Sequence, residues 1–265
     1  MENAYEDYTI HKQTYAELEV KYNLGEKTIR KYFDKLKPQK PSLITDQNPV
    51  NLIFDTTFFK RVLGVMVFRT GGGNLSWRYV ETEKLSFYLE ELCRLVDQGY
   101  NFKSFTIDGR KGLISLLQRQ FASVPIQMCQ FHQVAIVIRY ITMKPKTECG
   151  QELKSLILNL KKLSKREFVE QLKKLELKHQ DFLKQKNEQN KFKHKSLRSA
   201  LRSIKTNLPY LFTFEDYPEL SIPKTSNSCE GSFGHWKYKV KLHRHLESKR
   251  LKQLIDNLLG FKKNP

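Results

Sequence analysis

The spacing of apolar residues divides the chain into three regions with different predicted structures. Over residues 1–40, apolar residues recur at helical spacing in two short runs that meet at Asn23-Leu24-Gly25. Thr14 followed by Glu17 is a capping-box pattern, which predicts the start of the first helix. Residues 1–10 are a candidate for a preceding helix. The first region therefore predicts a small all-α domain.

The second region begins after a polar, proline-containing linker over residues 41–50. Apolar, β-branched runs of strand length predict three strands, which are followed by helix, strand, helix, strand and helix. The fifth strand is predicted over Val124–His132. Three strands in a meander, followed by strand–helix crossovers, are typical of an α/β (α+β) mixed sheet with helices on its faces. We predict that this domain spans residues 51–250, with a C-terminal helix and tail over residues 251–265.

The third region is a helical insertion over residues 144–224, where the charge balance changes. Between Lys144 and Lys205 there are 18 Lys and Arg against 7 Asp and Glu, a net charge of +11, and apolar residues recur at helical spacing. Taken one at a time, many of these lysines could simply lie on a solvated helix face. An excess of positive charge over so long a segment nevertheless favours a polyanion partner. Three prolines are predicted to break the chain after these helices: Pro209, Pro218 and Pro223.

Composition points to the same partner. The 265 residues include 47 Lys and Arg against 28 Asp and Glu, which gives a net charge of +19 and favours nucleic-acid binding. The four cysteines form no CxxC pair, which argues against a zinc ribbon or a disulfide scaffold. An N-terminal apolar stretch and a run of about 18 apolar residues are both missing, so secretion and membrane spanning are not expected.

The second predicted N-terminal helix has a basic polar face. Its polar positions carry Lys27, Thr28, Arg30 and Lys31. One helix that braces a second, basic helix is typical of the helix-turn-helix, in which the second helix enters the DNA major groove. The alternative is a plain helical hairpin.

Three carboxylates stand out by their setting. Asp55 interrupts the apolar run NLIFDTTFF, Asp108 ends the fourth strand, and Glu230 starts a helix within SNSCEGSFGHWK. Singly, each has a structural explanation: an Asp held by backbone donors, a turn Asp and a helix-start Glu. If the first strand lies beside the fourth, Asp55 and Asp108 are neighbours, and a helix across that edge could bring Glu230 to them. Three such carboxylates could hold two Mg²⁺ ions for phosphodiester chemistry.

These acids, together with Cys129 and His132 in a Cys-x-x-His spacing, resemble the Asp-Asp-Glu transposases of the Mutator-like group, which includes many bacterial insertion-sequence enzymes. The resemblance covers residues 45–250. It implies a ribonuclease-H-like catalytic fold, binding to the terminal inverted repeats of a mobile element, and Mg²⁺- or Mn²⁺-dependent DNA strand cleavage and transfer into target DNA. It also implies that Asp55, Asp108 and Glu230 are the catalytic metal ligands. Cys129 and His132 match the CxxH signature of the group. We interpret them as a structural pair near the catalytic strands, with a functional contact to DNA as the alternative, since two residues cannot complete a zinc site and no zinc is expected.

Basic residues beside these acids are predicted to contact DNA phosphates. We expect the protein to act on DNA as a homo-oligomer, at least a dimer, in the bacterial cytoplasm at the nucleoid and not in a membrane. The predicted phosphate contacts beside the acids are Arg110, Lys111, Lys237, Lys239 and Lys241.

Two other functions remain open on the sequence. The first is a DNA-binding protein derived from a transposase, shortened or domesticated and catalytically inactive, which fits the strong positive charge and the missing zinc ribbon. Specific binding that persists in EDTA without cleavage would favour it. The second is a ribonuclease-H-like structure-selective nuclease, which would cut branched DNA without inverted repeats.

Overall fold

The computed structural model describes residues 2–9, 11, 13–36, 49–59, 63–243 and 246–260. The side chains of Glu2, Asn227, Ser228 and Glu230 lie outside this description. Residues 41–48 of the predicted linker and the predicted tail from residue 261 onward also lie outside it.

Helices and strands follow one another in the order that the sequence predicts, with small helices added. The strands are β1 (Val50–Phe59), β2 (Leu63–Thr70), β3 (Gly73–Val80), β4 (Phe102–Ile107) and β5 (Ile126–Met128). The helices are α1 (Glu2–Thr9), α2 (Tyr15–Tyr22), α3 (Glu26–Lys35), α4 (Leu85–Asp97), α5 (Lys111–Gln120), α6 (Gln130–Ile141), α7 (Glu148–Leu158), α8 (Lys165–Lys178), α9 (Gln180–Lys184), α10 (Lys195–Leu211), α11 (Thr213–Asp216), α12 (Asn227–Leu242) and α13 (Ser248–Gly260), with a 3₁₀ turn at Pro218–Leu220. Within the described part of the chain, no helix is long and apolar enough to cross a membrane.

The strands form one mixed sheet in the order β3-β2-β1-β4-β5. β2 and β3 pair antiparallel, whereas β1 with β4 and β4 with β5 pair parallel. The prediction of an α/β mixed sheet is therefore confirmed. The chain divides into two compact units: Met1–Asp46, Thr56–Glu83 and Ser228–Pro265 form the first, and Gln47–Asp55 and Lys84–Asn227 form the second.

The predicted N-terminal helices are present in the first unit, and α1 precedes them. The Thr14 side chain accepts a hydrogen bond from the Glu17 backbone N–H, and the Glu17 carboxylate accepts one from the Thr14 backbone N–H, so the capping box is confirmed. Asn23 ends α2 with φ +50°, a left-handed conformation that asparagine tolerates at helix ends. Leu18, Ile29 and Phe33 form the buried side of α2 and α3.

Helix α13 packs with the other elements of the first unit. Arg250 donates two hydrogen bonds to the Asp34 carboxylate of α3, at 2.9 and 2.8 Å. The Asp256 carboxylate accepts hydrogen bonds from the Trp77 indole at 2.7 Å and the Tyr79 hydroxyl at 2.6 Å, both on β3. The N-terminal helices are therefore held through side chains of the predicted C-terminal helix, although the predicted domain boundaries themselves stay a prediction.

In the second unit, helices α7, α8 and α10 of the helical insertion share one core with α6, which precedes it. Phe168 of α8 and Phe212, just after α10, are fully buried, with ring centroids 5.6 Å apart. The predicted break at Pro209 is wrong, because α10 continues through it to Leu211. The buried Gln127 and Gln130 side chains each donate to the Leu211 carbonyl at 3.0 Å, which satisfies a helix end that would otherwise lack a partner.

A buried carboxylate joins α1 to α2. The Asp7 carboxylate accepts hydrogen bonds from the Lys21 ammonium at 2.7 Å and the Tyr22 hydroxyl at 2.6 Å. These donors favour the ionised form and lower the pKa of Asp7 below its ordinary value, with Lys21 the larger cause. Because the folded pKa lies below the unfolded one, this stabilisation is complete above pH about 4 and is lost as the pH falls through the folded pKa.

We therefore expect Asp7→Asn to lower the melting temperature by a few degrees at pH 7 and by less at pH 3. Thermal unfolding of the wild type and the variant at both pH values measures this difference. The exposed Asp97, replaced by Asn, is the matched control and should show little difference at either pH. An Asp7→Asn effect of equal size at pH 7 and pH 3 would contradict the proposed contribution of the ionised Asp7.

Candidate functional site

Asp55 lies within β1, two residues beyond the part of this strand that pairs with β4. The parallel register places Leu52 opposite Phe105 and Ile53 opposite Thr106. The three side chains before it in β1, Leu52–Phe54, are buried, and the Asp55 side chain itself is 11% exposed. The expectation that the first strand lies beside the fourth is therefore confirmed.

Asp108 follows the last residue of β4 in a tight turn. Its Oδ1 accepts a hydrogen bond from the Arg110 backbone N–H at 3.1 Å, which orients the carboxylate over the turn. Gly109 has φ +83°, and a Cβ at this position would lie 2.4 Å from the Met128 side chain. Glycine is therefore required after Asp108, both by the backbone conformation and by the space.

Asp55 and Asp108 both lie just beyond the paired part of β1 and β4. Continued by two residues beyond Ile53 and Thr106, the register sets Asp55 opposite Asp108. Paired positions on parallel strands lie about 4.8 Å apart and on the same face of the sheet. Neighbouring carboxylates are what this continued register predicts, and both aspartates belong to the second unit.

His132 is the third titratable residue beside this pair. Its Nε2 lies 3.9 Å from the Asp55 Oδ2, and its side chain is 28% exposed. The predicted fifth strand, which ran to His132, is wrong at its end. β5 stops at Met128, and α6 begins at Gln130, so His132 lies in the first turn of a helix. A helical turn allows this side chain to reach β1.

Cys129 is buried at the start of α6 and receives several hydrogen bonds. The Ser226 backbone N–H and hydroxyl both donate to its Sγ, each at 3.2 Å. Burial raises the pKa of the Cys129 thiol, but hydrogen bonds from His132 and Ser226 outweigh it, so the pKa lies below its ordinary value. Burial and the nearby Glu152 and Glu148 instead raise the pKa of the Cys149 thiol to about 11.

Glu230 occupies the first turn of α12, as the sequence predicts, in the first unit. Its side chain is outside the described part of the chain, so its distance from the two aspartates is not part of the geometry above. Among the described residues, no group of three or more His, Cys, Asp and Glu is arranged to hold a metal ion.

The predicted DNA-contacting residues differ in how far their side chains are exposed to solvent. Arg30 and Arg110 are half-buried, and Arg30 pairs with Glu26 and lies 4.8 Å from the centre of the Tyr15 ring. Lys239 differs from the expected phosphate contact: it is 2% exposed, and its ammonium donates to the Thr9 carbonyl at 2.5 Å. Helix α12 has 16 residues and carries basic residues on several sides. The sequence alone does not indicate which of these residues is buried. The exposed candidates are Lys27, Thr28, Lys31, Lys111, Lys237 and Lys241.

Ser226 and its neighbours are site residues that the sequence reasoning missed. The chain before α12 is fastened by Thr106, whose hydroxyl donates to the Pro223 carbonyl at 3.1 Å, and by the Gln130 N–H, which donates to the Lys224 carbonyl at 3.1 Å. These contacts join residues about 100 positions apart, and no local spacing signals them. The only available signal was the run of small polar residues before Glu230.

Comparison with known families identifies the family of this chain. Residues 73–245, more than half of the chain, match the family described as "Transposase, Mutator family". The chain therefore belongs to the Mutator family of transposases. The match includes Asp108, Cys129, His132 and Glu230, and begins after Asp55. A search of curated proteins found no match. Transposases cleave and join DNA in general, so the family implies a DNA partner.

Proposed function

We propose that this protein is a metal-dependent DNA transposase that binds the ends of a mobile element, cleaves the DNA there and transfers the strand to target DNA. The observation that supports the proposal is the parallel pairing of β1 with β4, whose register, continued by two residues, would bring Asp55 to the level of Asp108. The strand order, with an antiparallel β2-β3 pair at one edge and parallel crossovers beyond β1, supports a ribonuclease-H-like catalytic domain.

The donor set fits magnesium. Mg²⁺ prefers hard oxygen ligands, often one or two carboxylates together with water and phosphate oxygens. Asp55 in β1 and Asp108 just after β4 would supply such oxygens, and the hydrogen bond from the Arg110 N–H holds the Asp108 carboxylate. Glu230 would complete the set. Bound as a pair, the ions would activate a water or 3′-hydroxyl and stabilise the leaving oxygen of the phosphodiester.

The chain's own residues would hold the DNA around these acids. Lys111 is exposed in the first turn of α5, three residues after Asp108, where a DNA phosphate near the carboxylates could be neutralised. The first turn of a helix also presents backbone N–H groups toward an anion. Lys237 and Lys241 are exposed on the helix that carries Glu230. Positive charge at these positions would offset the repulsion between DNA and the carboxylates.

The N-terminal helices would recognise DNA as a helix-turn-helix. α2 and α3 are joined by a short turn at Asn23, and α3 exposes Lys27, Thr28 and Lys31. Such a helix can enter the major groove while α1 and α2 brace it. We further propose that the protein acts as a homodimer or larger oligomer on two element ends, at the bacterial nucleoid.

We expect the double substitution Lys27→Ala and Lys31→Ala to weaken DNA binding and to reduce the slope of log K against log salt by about one for each lysine that contacts a phosphate. Fluorescence anisotropy at several salt concentrations measures both quantities. Lys178→Ala is the matched control, because its charge is already paired with Glu148 and Glu152. A salt slope unchanged by the double substitution would contradict the assignment of α3.

The function is tested with DNA that carries the inverted repeats flanking the reading frame, incubated with Mg²⁺ or Mn²⁺. Nicks at the repeat ends, followed by joining to a second DNA, are expected, and EDTA should stop both. Binding without cleavage under all metal conditions would instead indicate an inactive derivative. Cleavage of branched DNA without any need for the repeats would indicate a structure-selective nuclease.

A further inference from the structure

The chain that joins α9 to α10 forms a small hairpin with a strong positive charge. Residues 184–195, here called the basic hairpin, contain five lysines and one glutamate, a net charge of +4. All of them belong to the second unit. The five lysines are all exposed: Lys184, Lys186, Lys191, Lys193 and Lys195. The basic hairpin is thus a charged surface that includes neither the candidate carboxylates nor the N-terminal helices.

Backbone hydrogen bonds give the basic hairpin a defined shape. Lys186 and Phe192 pair antiparallel across it. The Asn187 N–H donates to the Lys191 carbonyl at 2.9 Å, and the Asn190 N–H donates back to the Asn187 carbonyl at 2.9 Å. Asn190 closes the turn with φ +57°, a conformation that asparagine tolerates. The lysines are therefore carried by an ordered turn and not by an irregular loop.

Aromatic rings attach the basic hairpin to the helices on both sides of it. The Arg198 guanidinium of α10 lies 3.6 Å from the centre of the Phe192 ring, and the Lys186 ammonium lies 5.5 Å from the same ring. The His194 ring stacks on the Phe182 ring of α9, with centroids 3.7 Å apart and planes inclined by 22°. These contacts fix the hairpin on the helical insertion.

The exposed lysines alternate with these half-buried rings. Lys191, Lys193 and Lys195 are exposed, whereas Phe192 and His194 between them are half-buried. In an extended, paired segment, neighbouring side chains point to opposite sides. Lys191 and Lys193, on either side of the paired Phe192, therefore direct their charges away from the rings.

Within the described part of the chain, none of the five hairpin lysines forms an ion pair. Other lysines of the helical insertion do: Lys165 pairs with Asp216 at 2.8 Å and Lys205 with Glu176 at 2.7 Å. Like charges held close together destabilise a folded segment by mutual repulsion, and a bound polyanion relieves that repulsion. The basic hairpin is therefore complementary to a polyanion.

Three amide side chains of the basic hairpin are engaged within it. The Asn187 Oδ1 accepts a hydrogen bond from the Lys191 backbone N–H at 2.9 Å, and the Gln189 Oε1 accepts one from the Lys191 ammonium at 3.3 Å. The Gln185 Oε1 lies 3.2 Å from the His194 Nε2. Asparagine and glutamine can read base edges, whereas lysine contacts to phosphate carry no sequence information. An ammonium has three donors, so Lys191 can also contact a phosphate.

We propose that the basic hairpin is a second DNA-binding surface, which contacts the phosphate backbone of duplex DNA of any sequence. It adds affinity for every duplex, including target DNA, and leaves sequence recognition to other parts of the chain. The inference rests on the proposed function only in taking DNA as the partner, as the family implies. It requires neither a metal ion nor cleavage.

Fluorescence anisotropy of the full-length protein tests this inference at several salt concentrations. Two duplexes of equal length are compared, one with the inverted repeat that flanks the reading frame and one of unrelated sequence. Lys191→Gln combined with Lys193→Gln should weaken binding to both duplexes by the same factor. It should also reduce the slope of log K against log salt by about two, because each lost phosphate contact contributes about 0.9. Lys191→Arg combined with Lys193→Arg retains the charge and should bind as the wild type does.

The matched control is Lys173→Gln combined with Lys174→Gln. Both lysines are exposed on α8 in the same unit, and the change removes the same charge from the protein. It should alter binding little, because a charge without a phosphate contact is screened by salt. The inference is overturned if the glutamine variant of the hairpin binds as the wild type does or loses affinity for only one duplex. Equal losses in the hairpin and control variants would also overturn it, since net charge alone would then explain the binding.

The outcomes separate this inference from the proposed function. If the wild type binds DNA but cleaves none with Mg²⁺ or Mn²⁺, while the glutamine variant of the hairpin shows the expected loss, the proposed function fails and the surface stands. If the wild type cleaves the element ends and the glutamine variant binds both duplexes as the wild type does, the surface does not exist and the proposed function stands.

Discussion

Replacing Asp108 by Asn is expected to reduce DNA strand cleavage by at least about 100-fold, with little effect on DNA affinity or folding. The amide retains the size of the side chain and can still accept the hydrogen bond from the Arg110 N–H, so the turn should persist. It lacks the negative charge that would hold a divalent ion beside Asp55. A gel assay of nicked products, with the melting temperature measured in parallel, tests this expectation.

The matched control is Asp181→Asn, on an exposed position of the short helix α9 in the same unit. It removes the same charge from the protein and should leave cleavage unchanged. Activity of Asp108→Asn equal to that of the wild type would remove Asp108 from the site. Equal losses in both variants would indicate that net charge, and not a metal ligand, controls the reaction.

The largest effect on stability is expected at Phe168. Its ring is fully buried against Phe212 in the core that joins α8 to the end of α10. Truncation to alanine removes buried apolar surface and leaves a cavity, at a cost of about 3–5 kcal/mol in the free energy of unfolding. Denaturant unfolding monitored by circular dichroism measures this loss.

Phe131→Ala is the matched control for that experiment, since its ring is 44% exposed. It should cost well under 1 kcal/mol, as exposed substitutions usually do. A loss at Phe168 no larger than that at Phe131 would show that the helical insertion does not depend on this core.

The sequence predicted best those features of the fold that depend on residues close together in the chain. The capping box at Thr14 and the turn at Asn23 involve neighbouring residues, so their pattern is visible in a short window. The pairing of β1 with β4 followed from the order of strands and crossovers. These features needed no knowledge of distant contacts.

Features that depend on distant residues could not be predicted. Pro209 was expected to break the chain, because proline lacks the N–H of a helix interior, but burial of Leu211 and two glutamine donors hold the last turn of α10. Lys239 was expected on the surface, whereas the Thr9 carbonyl, 230 residues away in sequence, takes its ammonium. Tertiary partners overrode local preference at both positions.

The end of β5 was predicted wrongly, and this boundary affects the candidate site. Val124–His132 was interpreted as one strand because it is short and apolar, a pattern that strands and buried helix turns share. The sheet instead ends at Met128, and the change to a helix brings His132 toward Asp55 while Cys129 stays buried. The contact from Ser226 depends on this change and on a segment almost 100 residues later.

The central proposal, a two-metal site built on Asp55, Asp108 and Glu230, is tested most directly by a crystal structure of the protein grown or soaked with Mn²⁺. Anomalous scattering at the manganese edge identifies the ions without reference to activity. We predict two Mn²⁺ peaks beside the paired ends of β1 and β4, with carboxylate oxygens of Asp55 and Asp108 as ligands and Glu230 completing the site. Absence of anomalous density at the Asp55–Asp108 pair, or a Glu230 carboxylate directed away from bound ions there, would contradict it.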